Sequence, residues 1–142
     1  MIFLLDVNVL IALIDTDHVN HAIAHEWFER EGRHGWATCP ITENGLVRIV
    51  GNPKYRNTDR SPGDIVDTLA RMTELDGHVR WPDDVSFTDS SLFIAERLRT
   101  PAQVTDAYLL GLAVRRRGKL ATLDRRLSPL PVIGGAEALH VI

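Results

Sequence analysis

Short apolar runs alternate along this chain with longer segments in which apolar residues recur every three or four positions. Short runs bounded by polar residues are typical of buried strands, and the longer spacing is typical of amphipathic helices. The pattern predicts strands at residues 2–5, 35–38, 79–81, 119–123 and 139–142. It predicts helices at residues 9–14, 20–29, 42–50, 63–75, 91–98 and 105–117, with Thr42 as the N-cap of the third.

Strands that alternate with helices predict an α/β fold of three layers, in which helices flank a short parallel sheet. Ligands of such sheets bind outside the carboxyl ends of the strands, where the strand order changes direction. No repeat, low-complexity tract or Ser/Gly linker interrupts the 142 residues. We therefore expect one domain over residues 1–142, a length that supports a single hydrophobic core.

Four acidic residues lie at boundaries of these predicted elements. Asp6 directly follows the first strand, inside the most apolar run of the chain, and Asp124 directly follows the strand at 119–123. Glu43 lies in the first turn of the helix after Thr42, and Asp106 lies at the start of another helix. All four can point towards the same end of the sheet.

Each acid also has an ordinary structural explanation when it is taken singly. Glu43 and Asp106 could complement a helix dipole, a contribution of about 0.3 to 1 kcal/mol. Asp124 could cap a short turn before Arg125, and Asp6 could cap the first helix. Capping alone explains Asp6 less well, because it does not require the preceding residues to be a buried strand.

Taken together, the four acids require a compensating positive charge. Carboxylates about 4 Å apart repel by roughly 4 kcal/mol per pair at an effective dielectric constant of about 20. A basic side chain, a proton or a divalent cation could compensate them. Oxygen ligands without Cys or His suit Mg²⁺ or Mn²⁺. A metal pair held by carboxylates can activate water and stabilise the departing oxygen of a phosphodiester.

Composition narrows the function classes further. A net charge of -3 argues against general electrostatic binding of nucleic acid, although a metal or a local basic patch can reverse the field locally. The single Cys39 excludes an internal disulfide framework and a Cys-based zinc site. The N-terminal apolar run is too short to span a bilayer and has no basic segment before it. We therefore expect a cytoplasmic protein without a membrane partner.

Four stretches of the chain resemble one known family. They are "LLDVNVLIAL" at the N-terminus, "TENGLVRI" from Thr42, "VTDAYLLGLA" from Val104 and "LATLDRRL" from Leu120. In this order and at these separations they resemble the PIN-domain ribonucleases, most closely the VapC-type toxins of prokaryotic toxin–antitoxin pairs. The resemblance covers essentially the whole chain, whereas any one stretch alone is weak.

The resemblance implies a function and a set of site residues. It implies that RNA phosphodiester bonds are hydrolysed by water activated by Mg²⁺ or Mn²⁺, and that the protein is a homodimeric toxin inhibited by a VapB-type antitoxin. The implied catalytic and metal-binding residues are Asp6, Glu43, Asp106 and Asp124. Asn8 and Thr122 would be supporting polar groups at the edge of this cluster.

Two other function classes stay open at this point. One is a receiver-like phosphoacceptor domain, although no phosphorylatable aspartate at a middle strand and no late lysine is cleanly placed. The other is a non-catalytic PIN-like module whose acidic pocket binds a basic partner. The sequence assigns no role to His18, His21 and His25, nor to the run Arg115 to Arg117, and it does not identify the RNA, for which we expect the loop at 52–62 to matter.

Overall fold

The computed structural model describes residues 1–142, which form five strands and six α-helices. The strands are Phe3–Leu5 (β1), Trp36–Thr38 (β2), His78–Arg80 (β3), Lys119–Thr122 (β4) and Leu139–Val141 (β5). The helices are Val7–Ile14 (α1), His21–Arg30 (α2), Pro40–Val50 (α3), Pro62–Thr73 (α4), Val104–Arg115 (α5) and Gly135–Ala138 (α6). Short 3₁₀ turns lie at Gly32–His34, Ala95–Arg97 and Pro101–Gln103.

All five strands are parallel and belong to one sheet with the order β3-β2-β1-β4-β5. The chain starts at the central strand β1, proceeds outward through β2 and β3, and returns to the other side of β1 through β4. Strand order therefore changes direction between β1 and β4, which is where such sheets place their ligands. The predicted α/β fold with a parallel sheet is confirmed.

Helices cover both faces of the sheet, and each face has its own hydrophobic core. Successive strand residues point to opposite faces, so Leu4 packs with α5 and α6. Its neighbours Phe3 and Leu5 pack on the other face with α1 to α4. The three-layer arrangement follows from this alternation in a strand that is buried on both sides.

The N-terminal apolar run is divided between β1 and α1, and Asp6 separates them. The three residues of β1 are buried, and α1 buries four more apolar residues against the sheet. Asp6 is the N-cap of α1. None of the helices has both the length and the apolar character that crossing a membrane requires.

Two local predictions are wrong. Residues 91–98 do not form a helix, because Asp89 accepts hydrogen bonds from the backbone and side chain of Ser91 and closes a turn there. Only Ala95–Arg97 is helical, as a 3₁₀ turn. The N-cap of α3 is Cys39 rather than Thr42, since Pro40 supplies the preferred first helical residue. Thr42 lies in the first turn, where its hydroxyl oxygen accepts a hydrogen bond from the Cys39 amide.

Candidate active site

Asp6 lies at the carboxyl end of the central strand, and its side chain is almost completely buried, with 6% of the residue exposed. One carboxylate oxygen accepts a hydrogen bond of 2.7 Å from the Val7 amide. The other accepts a hydrogen bond of 2.8 Å from the Thr122 hydroxyl at the end of β4. The carboxylate therefore has a fixed orientation between the two strands where the sheet changes direction.

Asn8 and Thr122 connect the start of α1 to the end of β4. The Asn8 side-chain amide donates to Thr122 Oγ1 at 3.1 Å, and its carbonyl accepts from the Leu123 amide at 3.0 Å. Thr122 Oγ1 also accepts from the Asp124 amide at 3.1 Å. These bonds set the position of Asp6 relative to Asp124, which favours the supporting role predicted for Asn8 and Thr122.

Asp6, Asp106 and Asp124 influence one another electrostatically. Burial raises the pKa of Asp106 to about 6, and the negative charges of Asp6 and Asp124 add to this effect. The pKa of Asp6 is also raised, because burial outweighs the lowering by the hydrogen bonds from Thr122 and the Val7 amide, and the charge of Asp124 adds a smaller rise. The structure thus brings three of the four predicted acids into one negative field at the carboxyl ends of β1 and β4.

Glu43 takes part in a different network at the end of β2 and β3. Its carboxylate accepts a hydrogen bond of 2.7 Å from the Thr38 hydroxyl and one of 3.0 Å from Arg80 Nε. The Thr38 hydroxyl has one proton, which goes to Glu43, so His78 Nε2 is the donor in its 2.8 Å contact with Thr38. Burial and then the charge of Arg80 lower the pKa of His78. Glu43 is therefore neutralised by a cation of the protein itself.

The sequence interpretation did not identify Thr38, His78 and Arg80. Thr38 and Arg80 are the last residues of β2 and β3. The rule that placed Asp6 and Asp124, that strand carboxyl ends carry the site, applies equally to these two residues. The available signal was Thr38 at the end of one predicted strand and Arg80 one residue before the end of another, but their contact with Glu43 depends on β3 lying beside β2.

A cavity of about 600 Å³ opens next to Asp6 and Asp106, between α1 and α3. Its polar lining includes Asn8, Asn44, Arg48, Asp83 and Thr105. Glu43 and Asp124 do not line this cavity; Asp124 lines a smaller one of about 240 Å³ that it shares with Asp106. Asp106 thus lies between the two depressions and faces both.

The donor set fits a hard divalent cation, although no three His, Cys, Asp or Glu side chains are spaced to hold a metal ion as they stand. Asp6, Asp106 and Asp124 offer only carboxylate oxygens, the ligands that Mg²⁺ and Mn²⁺ prefer. Burial and mutual repulsion raise the pKa of two of them, so a bound cation would relieve an existing electrostatic cost. No basic side chain forms an ion pair with Asp6 or Asp106: Arg80 is paired with Glu43, and the exposed Arg126 lies 4.0 Å from Asp124.

Comparison with known proteins places the chain in a family. The model of the PIN domain matches residues 3–132. Ribonuclease VapC44 of Mycobacterium tuberculosis is 44% identical over 138 residues, which cover 97% of this chain and 96% of that protein. Ribonuclease VapC39 of the same organism is 43% identical over 139 residues, covering 98% of this chain and 100% of that protein.

A solved structure supports the fold. It is the crystal structure of VapBC2 from Rickettsia felis bound to a DNA fragment from its promoter, which matches with a TM-score of 0.57 and 13% identity over 100% of this chain and 99% of the matched chain. At 13% identity, the match supports the fold alone. The family model and the near-full-length relatives go further, and they show that the chain belongs to the PIN domain family.

Proposed function

We propose that this protein is a divalent-metal-dependent endoribonuclease of the VapC type, the toxin of a VapBC-type toxin–antitoxin pair. The observation that carries the proposal is the convergence of Asp6, Asp106 and Asp124 at the switch point of the sheet, with the pKa of Asp6 and Asp106 raised. The relatives named ribonuclease VapC support the same activity. The PIN domain match also favours a nuclease over a receiver-like phosphoacceptor.

In this proposal Asp6, Asp106 and Asp124, together with Glu43, would hold Mg²⁺ or Mn²⁺. The cation would supply activation of water and neutralisation of charge on the phosphodiester. The protein itself orients the carboxylates. Thr122 and the Val7 amide fix both oxygens of Asp6 before any ligand arrives. Asp106 and Asp124 are more exposed than Asp6, so their carboxylates are the ones that can face substrate and solvent.

Glu43 belongs to the proposed catalytic and metal-binding set because its motif matches the family. Its pairing with Arg80 does not prevent this role. The Arg80 side chain is 58% exposed, and exposed ion pairs contribute only about 0.2 to 1 kcal/mol. A divalent cation near the aspartates offers Glu43 a stronger partner, at the small cost of releasing Arg80.

The direct test is RNA cleavage by the purified protein. We expect cleavage with Mg²⁺ or Mn²⁺, none with EDTA, and loss of cleavage in Asp6→Asn and Asp106→Asn. Asp67→Asn is the matched control, because Asp67 is an exposed aspartate of α4 outside the site, and it should cleave like the wild type. Cleavage that persists with EDTA or in both site variants would contradict the mechanism.

The melting temperature measures metal binding independently of cleavage, and together with the cleavage assay it distinguishes an enzyme from a binding module. Titration with Mn²⁺ should raise the melting temperature of the wild type and of Asp67→Asn, because a ligand that binds the folded state stabilises it. Asp6→Asn should show no such rise. Metal-dependent stabilisation without cleavage of any RNA in a broad panel would favour the non-catalytic module.

The partners and location are part of the same proposal. We propose a homodimer in the cytoplasm, one nuclease domain over residues 1–142, and inhibition by a VapB-type antitoxin. The structural neighbour is a VapBC complex, which supports an antitoxin partner. Light scattering of the purified chain would give its oligomeric state. Co-purification of a small protein that abolishes RNA cleavage would identify the antitoxin.

A further inference from the structure

The cavity beside Asp6 runs along the seam between α1 and α3. Both helices begin at the carboxyl ends of adjacent parallel strands, so they run side by side away from the acids. They approach closely at Gly45, where a Cβ atom would meet Val7 Cγ2 at 2.8 Å. Gly45 and Val7 both line the cavity at this close approach of the two helices.

The two ends of the seam differ in charge. Asp6 and Asp106 line the end where the helices begin. Asn44 and Arg48 line the α3 side and are one helical turn apart, about 6 Å along the axis. Arg48 is therefore displaced from the acids towards the end of α3, where Ile49 also lines the cavity.

Arg48 is the cation of this cavity that has no partner within the protein. Its side chain is exposed, and none of the ion pairs in the structure involves it. The other basic residues near the acids do not share these properties: Arg80 is paired with Glu43, and Arg126 lies outside this cavity. An unpaired guanidinium in a groove that begins at a phosphodiester-cleaving site is suited to bind a phosphate.

We propose that the α1–α3 seam binds the RNA backbone on one side of the cut, with Arg48 as a phosphate contact and Asn44 as a neighbouring hydrogen-bond donor. This inference rests on the proposed nuclease function, because it takes the scissile phosphate to lie at the acids. Exposed Ile49 and the apolar wall of the seam contact the sugar or base of the same nucleotide. Such contacts hold the strand without reading its sequence.

Binding of a short single-stranded RNA to the Asp6→Asn protein, in EDTA and over a range of salt concentrations, tests the seam apart from cleavage. We expect Arg48→Ala on this background to weaken binding about tenfold and to lower the slope of log affinity against log salt by about 0.7, the value for one phosphate on a single strand. Arg48→Lys should keep the slope. Arg33→Ala is the matched control, because Arg33 precedes β2 at the opposite end of the sheet.

Cleavage kinetics in the otherwise wild-type protein give the second measurement. Arg48→Ala should raise KM with little change in kcat, the pattern of a contact made equally in the ground and transition states. Equal RNA affinity and equal salt slope for Arg48→Ala and Arg33→Ala would overturn the proposal. The seam would then be a candidate binding site for a protein partner. Loss of kcat without a change in RNA affinity would overturn it as well.

The two measurements separate this inference from the proposed function. If RNA binding depends on Arg48 but the wild-type protein never cleaves RNA, the seam is an RNA-binding site and the proposed nuclease function is wrong. If metal-dependent cleavage requires Asp6 but is unaffected by Arg48→Ala, the protein is a nuclease and the proposed RNA contact at Arg48 is wrong. An Asp6→Asn protein with no affinity for RNA would contradict the seam directly.

Discussion

Asp6 and Asp15 lie at opposite ends of α1 and are almost equally buried, with 6% and 5% of each residue exposed. Asp6 is the N-cap of the helix and Asp15 is its C-cap. The helix dipole favours a negative charge at the first position and disfavours one at the second. The pKa values shift in the opposite sense, because the pKa of Asp6 is raised and the pKa of Asp15 is lowered.

The neighbours of each carboxylate explain this reversal. Burial acts to raise the pKa of Asp15, but hydrogen bonds from the Tyr55 hydroxyl, the Asn57 amide and the Asp17 backbone, with the charge of His18, together outweigh it. Asn57 Nδ2 is 2.8 Å from the Asp15 carboxylate, and the Asp17 amide is 3.0 Å away. Asp15 is thus surrounded by donors.

Asp6 also has three donors, but the bond from Asn8 Nδ2 is long at 3.4 Å, and the charged neighbours of Asp6 are other acids. Two strong hydrogen bonds orient it without cancelling the cost of burial and the repulsion from Asp124. Burial of a carboxylate is therefore not in itself a sign of function. A buried acid among donors anchors the fold, here by tying the loop that contains Tyr55 and Asn57 to α1. A buried acid among acids would be stabilised by a nearby cation, which is the role proposed for Asp6.

The largest effect that distinguishes the two aspartates is expected in Asp6→Asn. Cleavage should fall by about three orders of magnitude, because loss of a metal ligand removes several kcal/mol of charge stabilisation. The metal-free free energy of unfolding should stay the same or rise, since Asn keeps an acceptor for the Val7 amide and removes an unfavourable buried charge. Urea unfolding in EDTA, beside an RNA cleavage assay, measures both. A large loss of stability would make Asp6 a structural residue like Asp15.

Asp15→Ala should have the opposite profile. It leaves the Tyr55 hydroxyl, the Asn57 amide and the Asp17 amide without their acceptor, and a hydrogen bond to a charged group contributes about 1.5 to 3 kcal/mol. We expect the free energy of unfolding to fall by about 3 kcal/mol. Metal-induced stabilisation, measured as the rise in melting temperature with Mn²⁺, should persist. A stable Asp15→Ala protein that is no longer stabilised by Mn²⁺ would mean that Asp15 binds metal rather than anchoring the fold.

The difference between the two aspartates also shows what the sequence could reveal. Asp6 interrupts a continuous apolar run directly after a strand, which is a local signal, and the parallel sheet predicted from alternating elements placed it at the ligand-binding edge. Asp15 ends an apolar helix and looks like an ordinary polar boundary. Its partners Tyr55 and Asn57 are 40 and 42 residues away, so only the tertiary structure brings them together.

The same limit applies to Glu43 and to the failed helix prediction. The position of Glu43 in the first turn of a helix was readable from the sequence, but its pairing with Arg80 requires the strand order β3-β2, which no local pattern encodes. The apolar residues within 91–98 have a composition typical of a helix. The Asp89 side chain instead closes a turn at Ser91, which competes with helix formation. Elements follow from periodicity, whereas side-chain partners depend on topology.

Tyr55→Phe should destabilise the protein less than Asp15→Ala does, because it removes one hydrogen-bond donor from Asp15 and leaves the ring in place. We expect the free energy of unfolding to fall by about 1.5 kcal/mol, the lower value for a hydrogen bond to a charged group. Ser86→Ala is the control, since Ser86 is an exposed residue whose side chain bonds only within its own turn. Urea unfolding of both variants gives the difference. Equal stability of Tyr55→Phe and the wild type would mean that the hydroxyl does not anchor the loop.

The smallest effect is expected in the acid dependence of stability. The folded-state pKa of Asp15 lies below its ordinary value of 3.8, so the unfolded chain takes up the proton first as the pH falls. The stabilisation from ionised Asp15 is therefore complete above 3.8 and is lost as the pH drops through the lower folded-state pKa. The difference in unfolding free energy between the wild type and Asp15→Asn should be constant near neutral pH and shrink in this acidic range. A difference that widens on acidification would mean that the Asp15 carboxylate is protonated in the folded protein, and the contrast with Asp6 would disappear.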